Sequence, residues 1–230
     1  KTSSAASDVY KRQSLSFFNK LYPNSEKNLK IVFTSLHGTS HKLIPTLLKK
    51  TGFLEVKLVD KQMTPDGNFT HAKSSNPENK LALIDAIEIA KKNNSDLVIG
   101  TDPDADRFGI VVKDFNEDFI QINGNQSMIV LTDFLLSKLK YDKTKSFIAS
   151  TVVSTPMMQK IADKNKVKLI LSLTGFKWIG KMINDFPSLN YICGGEESYG
   201  FLAGNFVRDK DALTSSLLIS GLCNELKEQN

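Results

Sequence analysis

Apolar positions along this chain recur with two different periods, and the switches between them mark out strands and helices. Ile31-Val32-Phe33-Thr34 is a β-branched and aromatic run of strand type. It passes through Ser35-Leu36-His37-Gly38-Thr39-Ser40 into a helix over roughly 40–50, stopped at Gly52. A second strand is expected near Val56-Lys57-Leu58-Val59. Asn76 suits an N-cap, with Pro77 at the first helical position and Glu78 in the first turn, so a helix is predicted from there to about Asn93. Leu83, Ile84, Ile87 and Ala90 would share its apolar face. Leu97-Val98-Ile99 and Phe108-Gly109-Ile110-Val111-Val112 read as buried strands flanking a charged loop, and polar residues 113–121 read as a linker.

A second unit repeats the alternation. Asn123-Gly124-Asn125-Gln126 opens a helix carrying Ile129, Val130, Phe134 and Leu135. Then come a strand at 147–149, a helix entered through Ser154-Thr155-Pro156, a strand at 167–171 and a helix over about 176–185. A short strand at 191–193 and an amphipathic helix over roughly 211–227 complete it. The order predicts an α/β chain of two consecutive three-layer α/β/α domains, over 14–115 and 120–230, with mostly parallel or mixed sheets.

Composition narrows the class without naming a chemistry. The 230 residues are 40% hydrophobic and 24% charged, an ordinary globular mixture with enough apolar material for real cores. The net charge of +5 comes from lysines spread among acids on predicted helices, which argues against a nucleic-acid partner. No apolar run approaches the ~18 residues needed to span a bilayer, so no membrane role is expected. Cys193 and Cys223 have neither metal-ligand spacing nor a disulfide framework, and a cytoplasmic setting is the expectation. Residues 1–13 stand apart. Asp8-Val9-Tyr10-Lys11-Arg12-Gln13 resembles the translation of a transposase-type sequencing adapter, and 1–7 lack periodicity, so an adapter-derived, disordered tail outside the fold is expected there.

The most informative segment is Gly100-Thr101-Asp102-Pro103-Asp104-Ala105-Asp106-Arg107. In an extended or turn-like loop alternate side chains share a side, so Asp102, Asp104 and Asp106 can converge on one point. Carboxylates so close repel and take up protons unless a cation sits between them. All-oxygen ligation suits a hard divalent ion such as Mg²⁺, Mn²⁺ or Ca²⁺. An EF-hand is excluded: counted from Asp102, its required glycine and glutamate are replaced by Arg107 and Lys113. A charged loop at a strand end is also where open α/β sheets bind ligands.

Three further loops are candidates. Gly195-Glu196-Glu197-Ser198-Tyr199-Gly200 offers close backbone approach with a carboxylate and a hydroxyl for sugar hydroxyls, or is an acidic turn. In Arg208-Asp209-Lys210-Asp211, either an aspartate caps a helix or Arg208 and Lys210 meet a phosphate. Thr174-Gly175-Phe176-Lys177 lies between strand and helix, where free N–H groups favour anions. His37 in His-Gly-Thr reads as an architectural loop residue.

Asp102-Pro-Asp104-Ala-Asp106-Arg107 together with Gly195-Glu-Glu-Ser-Tyr-Gly200 resembles the α-D-phosphohexomutases, and within them the bacterial phosphoglucomutase type. Weaker supporting segments are Ser35–Thr39, Pro65–Phe69, Asn123–Gln126, Leu173–Lys177 and Arg208–Asp211, so the likeness runs from about residue 20 to about 225. The resemblance implies four domains around one cleft, of which this chain is similar to the middle two. The domain with the phosphorylated serine and the last, phosphate-clamping domain have no counterpart motif here, so the isolated chain is expected to be inactive. It further implies that Asp102, Asp104 and Asp106 hold Mg²⁺ and that Arg107 neutralises phosphate charge. Glu196, Ser198 and Thr174 would line the site of a phosphorylated hexose. Arg208 and Lys210 would meet the substrate, Lys210 near the transferring phosphate. The implied reaction interconverts glucose 1-phosphate and glucose 6-phosphate through glucose 1,6-bisphosphate. Phosphomannomutase, phosphopentomutase and a non-catalytic metal or sugar-phosphate binding module are the alternatives.

Overall fold

A computed structural model describes residues 2–23 and 26–229. The first sheet has five strands in the order β2-β1-β3-β4-β5. Its strands are β1 (Ile31–Thr34), β2 (Val56–Leu58), β3 (Leu97–Thr101), β4 (Phe108–Lys113) and β5 (Phe119–Ile122). β2, β1 and β3 run parallel, and β4 and β5 turn back antiparallel. The second sheet has the order β7-β6-β8-β9, from β6 (Ser146–Thr151), β7 (Lys168–Ser172), β8 (Asn190–Gly195) and β9 (Phe201–Ala203). β7, β6 and β8 are parallel and β9 is antiparallel. The helices are α1 (Thr2–Leu21), α2 (Leu43–Lys50), α3 (Ile84–Lys92), α4 (Gly124–Lys138), α5 (Met157–Asn165), α6 (Phe176–Asp185) and α7 (Ala212–Glu228). Two mixed sheets with helices on their faces make this an α/β chain, as the alternation of periods predicts. No helix among the described residues is long and apolar enough to cross a membrane.

One core runs through both units. Ile31, Phe33, Leu97 and Ile110 from the first sheet and Ile148, Ile192 and Phe201 from the second belong to a single buried cluster with Leu213, Leu217 and Leu218 of α7. The outer faces have cores of their own, under α3 on the first sheet and under α6 on the second. The last helix, expected to be amphipathic, is instead buried on nearly every side, with 12 of its 17 residues enclosed. Its serines make this tolerable. Ser215 and Ser220 donate to carbonyls one turn back, at 2.6 and 2.7 Å, so these two sit inside with their hydroxyls satisfied, while the buried Ser216 hydroxyl has no partner.

Three expectations need correction. Residues 2–13 are helical rather than disordered, forming the first part of α1. The Tyr10 hydroxyl donates to the Asp211 carboxylate, Thr214 donates to the buried Ser14 at 3.0 Å, and Phe18 is fully enclosed, so the helix is anchored on α7. The stretch 113–121 is not a linker but the β4–β5 hairpin. The Asp114 carboxylate gathers the N–H groups of Asn116 and Asp118, both at 2.9 Å, and turns the chain back. The helix expected from Pro77 begins only with a 3₁₀ turn at Lys80, capped by Asn79, and becomes α-helical at Ile84. Asn76 instead closes a local turn onto the Glu78 N–H, and the Pro77 carbonyl accepts a 2.9 Å bond from Gln121 of β5.

Candidate metal and phosphosugar site

The acidic loop joins β3 to β4, and its shape is set by Asp102 from inside. This residue is 1% exposed. One carboxylate oxygen accepts the N–H groups of Asp106 and Arg107 at 3.1 and 3.0 Å. The other accepts the Arg107 Nε at 2.8 Å. Burial pushes the Asp102 carboxyl up to about 6, with the Arg107 bonds opposing and the charges of Asp106 and Asp104 adding to the rise. Asp104 is exposed and Asp106 half-buried, and the three carboxylates each bring an oxygen within 4.8 Å of the others.

A neighbouring loop braces this one. Thr39 donates both its N–H (2.8 Å) and its hydroxyl (3.0 Å) to the Pro103 carbonyl, and the hydroxyls of Ser40 and Thr101 lie 2.6 Å apart. Gly38 is required for that approach, because a Cβ there would sit 2.6 Å from the Pro103 Cα. His37 is architectural, as expected. Its Nδ1 lies 2.7 Å from the Thr64 carbonyl and its Nε2 accepts the His71 N–H at 3.1 Å.

The second unit delivers the other half. Residue Arg107 forms a β-bridge with Gly200, and the Phe108 N–H donates to the Tyr199 carbonyl at 3.2 Å, so the acidic loop and the Gly-Glu-Glu-Ser loop are stitched edge to edge. Each holds a non-glycine residue in the left-handed region, Ala105 at φ 65° and Tyr199 at φ 68°, a conformation that persists only where surroundings enforce it. At the start of α7, Asp211 is the cap, accepting from Leu213 and Thr214, and the Ala212 N–H reaches back to the Ala105 carbonyl at 3.2 Å. That junction aims Lys210 into the acidic loop, where its Nζ lies 2.7 Å from Asp106. Burial alone would lower the Lys210 ammonium, but its bonds to Asp106 and the charges of Asp106 and Asp209 outweigh this and raise it.

These pieces enclose a cavity of about 300 Å³. Asp102, Asp104, Asp106 and Arg107 line one side of it, and Glu196, Ser198, Lys210, Gly175 and Phe176 the other. Glu196 is buried, which raises its carboxyl, and it accepts the Gly175 N–H at 2.9 Å. That bond takes the free N–H at the start of α6 expected to favour a substrate anion. Two expected site residues do not line the cavity. Thr174 is exposed beside it, and Arg208 is exposed with its guanidinium folded onto the Asn205 and Val207 carbonyls of its own loop. Phe176 was not anticipated. Its ring lies 5.7 Å from the Lys210 ammonium, a proximity with no signal in the sequence because 34 positions separate the two residues. Glu197 points away from the cavity to the hydroxyls of Ser154 (2.8 Å) and Thr151 (3.2 Å).

Comparison with known proteins gives this arrangement its context. Residues 8–116 match the family model of phosphoglucomutase/phosphomannomutase α/β/α domain II, and residues 123–229 match that of domain III. Phosphoglucomutases of Staphylococcus aureus strains N315 and Mu50 are 42% identical over 203 residues, which is 88% of this chain and 37% of theirs. The chain therefore spans little more than a third of the length of these relatives. Among solved structures, a phosphoglucomutase/phosphomannomutase family protein from Burkholderia thailandensis superposes with a TM-score of 0.72 at 17% identity, covering 94% of this chain and 46% of that one. The phosphoglucomutase parafusin of Paramecium gives 0.68 at 20% identity, covering 97% and 38%. An Aspergillus fumigatus N-acetylphosphoglucosamine mutase solved with GlcNAc-6P and magnesium gives 0.65 at 13%, covering 95% and 51%. At these identities the superpositions speak for the fold alone.

Proposed function

The chain belongs to the phosphoglucomutase/phosphomannomutase family, spanning its α/β/α domains II and III, and from that premise we propose that it carries the metal loop and the sugar-facing loop of an enzyme interconverting glucose 1-phosphate and glucose 6-phosphate. The observation that carries the reading is one cavity walled by three clustered aspartates on one side and by Glu196, Ser198 and Lys210 on the other. Phosphoryl transfer asks a protein for positioning and charge neutralisation more than for covalent work, and this cavity offers both. The phosphoserine and a clamp for the substrate's other phosphate would come from other parts of the full-length protein.

The donor set fits Mg²⁺: three carboxylates within reach of one another, no soft ligand among them, and a buried member whose raised carboxyl a cation would help to keep ionised. An ion held by Asp102, Asp104 and Asp106 would draw charge from the transferring phosphoryl oxygens. Arg107 anchors Asp102 through Nε and lines the same cavity, where it would add positive charge. Glu196 and Ser198 supply an acceptor and a hydroxyl for a hexose. The raised Lys210 stays an ammonium at neutral pH, so it contributes charge beside the transferring phosphate rather than serving as a base.

Assay of the full-length protein with glucose 1-phosphate and catalytic glucose 1,6-bisphosphate tests the proposal. Mg²⁺-dependent formation of glucose 6-phosphate is expected, whereas preferential turnover of mannose or pentose phosphates, or no turnover, would replace it. The metal reading carries a pH dependence of its own. A group with a raised pKa binds its proton below about 6, and a metal must displace that proton. Mn²⁺ affinity is therefore expected to be nearly constant above pH 7 and about ten-fold weaker at pH 5, measured by calorimetry. An affinity that does not change between pH 7 and 5 would remove Asp102 from the ligand set.

A further inference from the structure

The three aspartates are not equally available to a cation. Asp104 is exposed. Asp102 keeps its oxygens on the loop's own N–H groups and on Arg107. Asp106 faces a positive charge with each oxygen: Lys210 Nζ lies 2.7 Å from Oδ2 and Arg107 Nε lies 3.7 Å from Oδ1. A divalent ion bound through Oδ2 would sit about 2.0–2.1 Å from an oxygen that already accepts from the ammonium, and one bound through Oδ1 would face the Arg107 guanidinium. The carboxylate has lone pairs for more than one partner, but two cations on one oxygen repel and weaken each other's hold. They cannot both be held there at full strength.

The ammonium has somewhere else to go. The stem of Lys210 runs over Gly200, where a Cβ would lie 2.3 Å from its Cδ, so the absence of a side chain there leaves room for the lysine. The end of the side chain can swing along a short arc beside the Phe176 ring, whose centroid lies 5.7 Å from the ammonium. Within that short arc lie Asp209 Oδ1, 3.4 Å from Nζ, and the buried Glu196 on the cavity wall. Glu196 already feels the Lys210 charge.

We propose that Lys210 is the built-in counter-ion of the acidic loop, holding the Asp106 oxygen that a divalent ion needs, so that metal entry and the turning of the Lys210 ammonium toward the sugar-facing wall are one exchange. The proposal rests on the metal reading given above and adds an order of events to it: the lysine reaches the substrate side only when the metal is in place. A loop with its metal missing would keep its lysine bound to Asp106 and present no ammonium to a substrate phosphate.

Mn²⁺ titration of the full-length protein followed by electron paramagnetic resonance tests this, at low ionic strength and above pH 7. Lys210→Met and the second neutral variant Lys210→Gln are expected to bind Mn²⁺ about ten-fold more tightly than the unaltered chain, and Lys210→Arg within about two-fold of it. The gain in the neutral variants is expected to shrink as salt is added. In the unaltered chain, acetylation of Lys210 by acetic anhydride, read by mass spectrometry, is expected to quicken when Mg²⁺ is present. Unchanged or weaker Mn²⁺ binding in both neutral variants would overturn the exchange while leaving the metal site standing. An absence of Mn²⁺ binding to every form up to millimolar concentrations would take down the metal reading and the exchange with it.

Discussion

Replacing Asp104 with alanine in the full-length protein is expected to cut turnover of glucose 1-phosphate at least about a hundred-fold while leaving thermal unfolding almost where it was. The two halves of that expectation come from the same fact. Asp104 is exposed and lies in the middle of a triad whose oxygens approach within 4.8 Å. Its carboxylate is therefore available to a metal and contributes little to the fold. Removing it should change stability by no more than about 0.5 kcal/mol, the usual range for an exposed polar position. The sign is expected to be favourable, because one of three mutually repelling charges is gone. Asp102→Ala is the contrast. That residue holds two loop N–H groups and the Arg107 Nε from a buried position, so its loss should cost about 2–4 kcal/mol in addition to metal binding. Turnover measured beside thermal unfolding separates the two kinds of aspartate. If Asp104→Ala kept full turnover, the acidic loop would not be the metal site of the reaction.

That contrast also marks how far the sequence could be read. The triad was legible because its pattern is local: three carboxylates at a spacing of two, between two apolar runs, need no tertiary information. The strands Ile31–Thr34 and Leu97–Thr101 and the helix Phe176–Asp185 are similarly plain, each being a full apolar run or a clear helical face. β5 and β9 were not, for they have four and three residues, too few to show a period, and they exist because β4 and β8 offer them an edge. Pro77 misled for a related reason. Asn-Pro-Glu is good helix-start chemistry, but tertiary packing used the Pro77 carbonyl to hold Gln121, and local preference lost. The burial of α7 was hidden by its serines, which look like a solvated face although Ser215 and Ser220 turn their hydroxyls back onto the preceding turn.

The site divides along the same line. Which residues carry charge was readable; which of them meet was not. Nothing local announces that Arg107 will bridge to Gly200, that the Ala212 N–H will close onto Ala105, or that Lys210 will end beside Asp106 and above Phe176. Each of these contacts joins the first unit to the second or one loop to another across the second sheet. The shared core around α7 is what makes them possible, since it holds residues of both sheets in one buried cluster. Thr174 and Arg208 show the converse. Both sit in the right segments, but with one exposed and the other folded onto its own loop, segment membership does not make a side chain part of the cavity.

A methyl group at Gly124 is expected to do more harm than the loss of most side chains in the chain. The first turn of α4 supports the backbone of the Gly195–Gly200 loop directly: a Cβ at Gly124 would lie 1.9 Å from the Glu197 carbonyl oxygen and 2.7 Å from the Tyr199 nitrogen. Neither partner can yield cheaply. The helix start is locked by a reciprocal cap between Asn123 and Gln126, and Asn125 holds the Thr155 N–H at 2.9 Å. The loop is held by the Glu197 bonds to Ser154 and Thr151 and by the bridge from Gly200 to Arg107. Gly124→Ala should therefore lower stability by about 3 kcal/mol, at the upper end for overpacking because the obstacle is backbone. For a chain of this length that is a fall in Tm of roughly 6–12 °C. What movement does occur must displace Glu196 and Ser198, so the KM for hexose phosphate in the full-length protein should rise about ten-fold or more. The acidic loop shares the bridge to Gly200 but has a brace of its own in Thr39 on Pro103, so Mn²⁺ affinity should fall less than the KM rises. Calorimetry, steady-state kinetics and Mn²⁺ titration on the one variant give three readings that must differ in this order. A variant with unaltered Tm and KM would mean that the loop does not rest on α4, and the placement of Glu196 and Ser198 against the metal loop would have to be reconsidered.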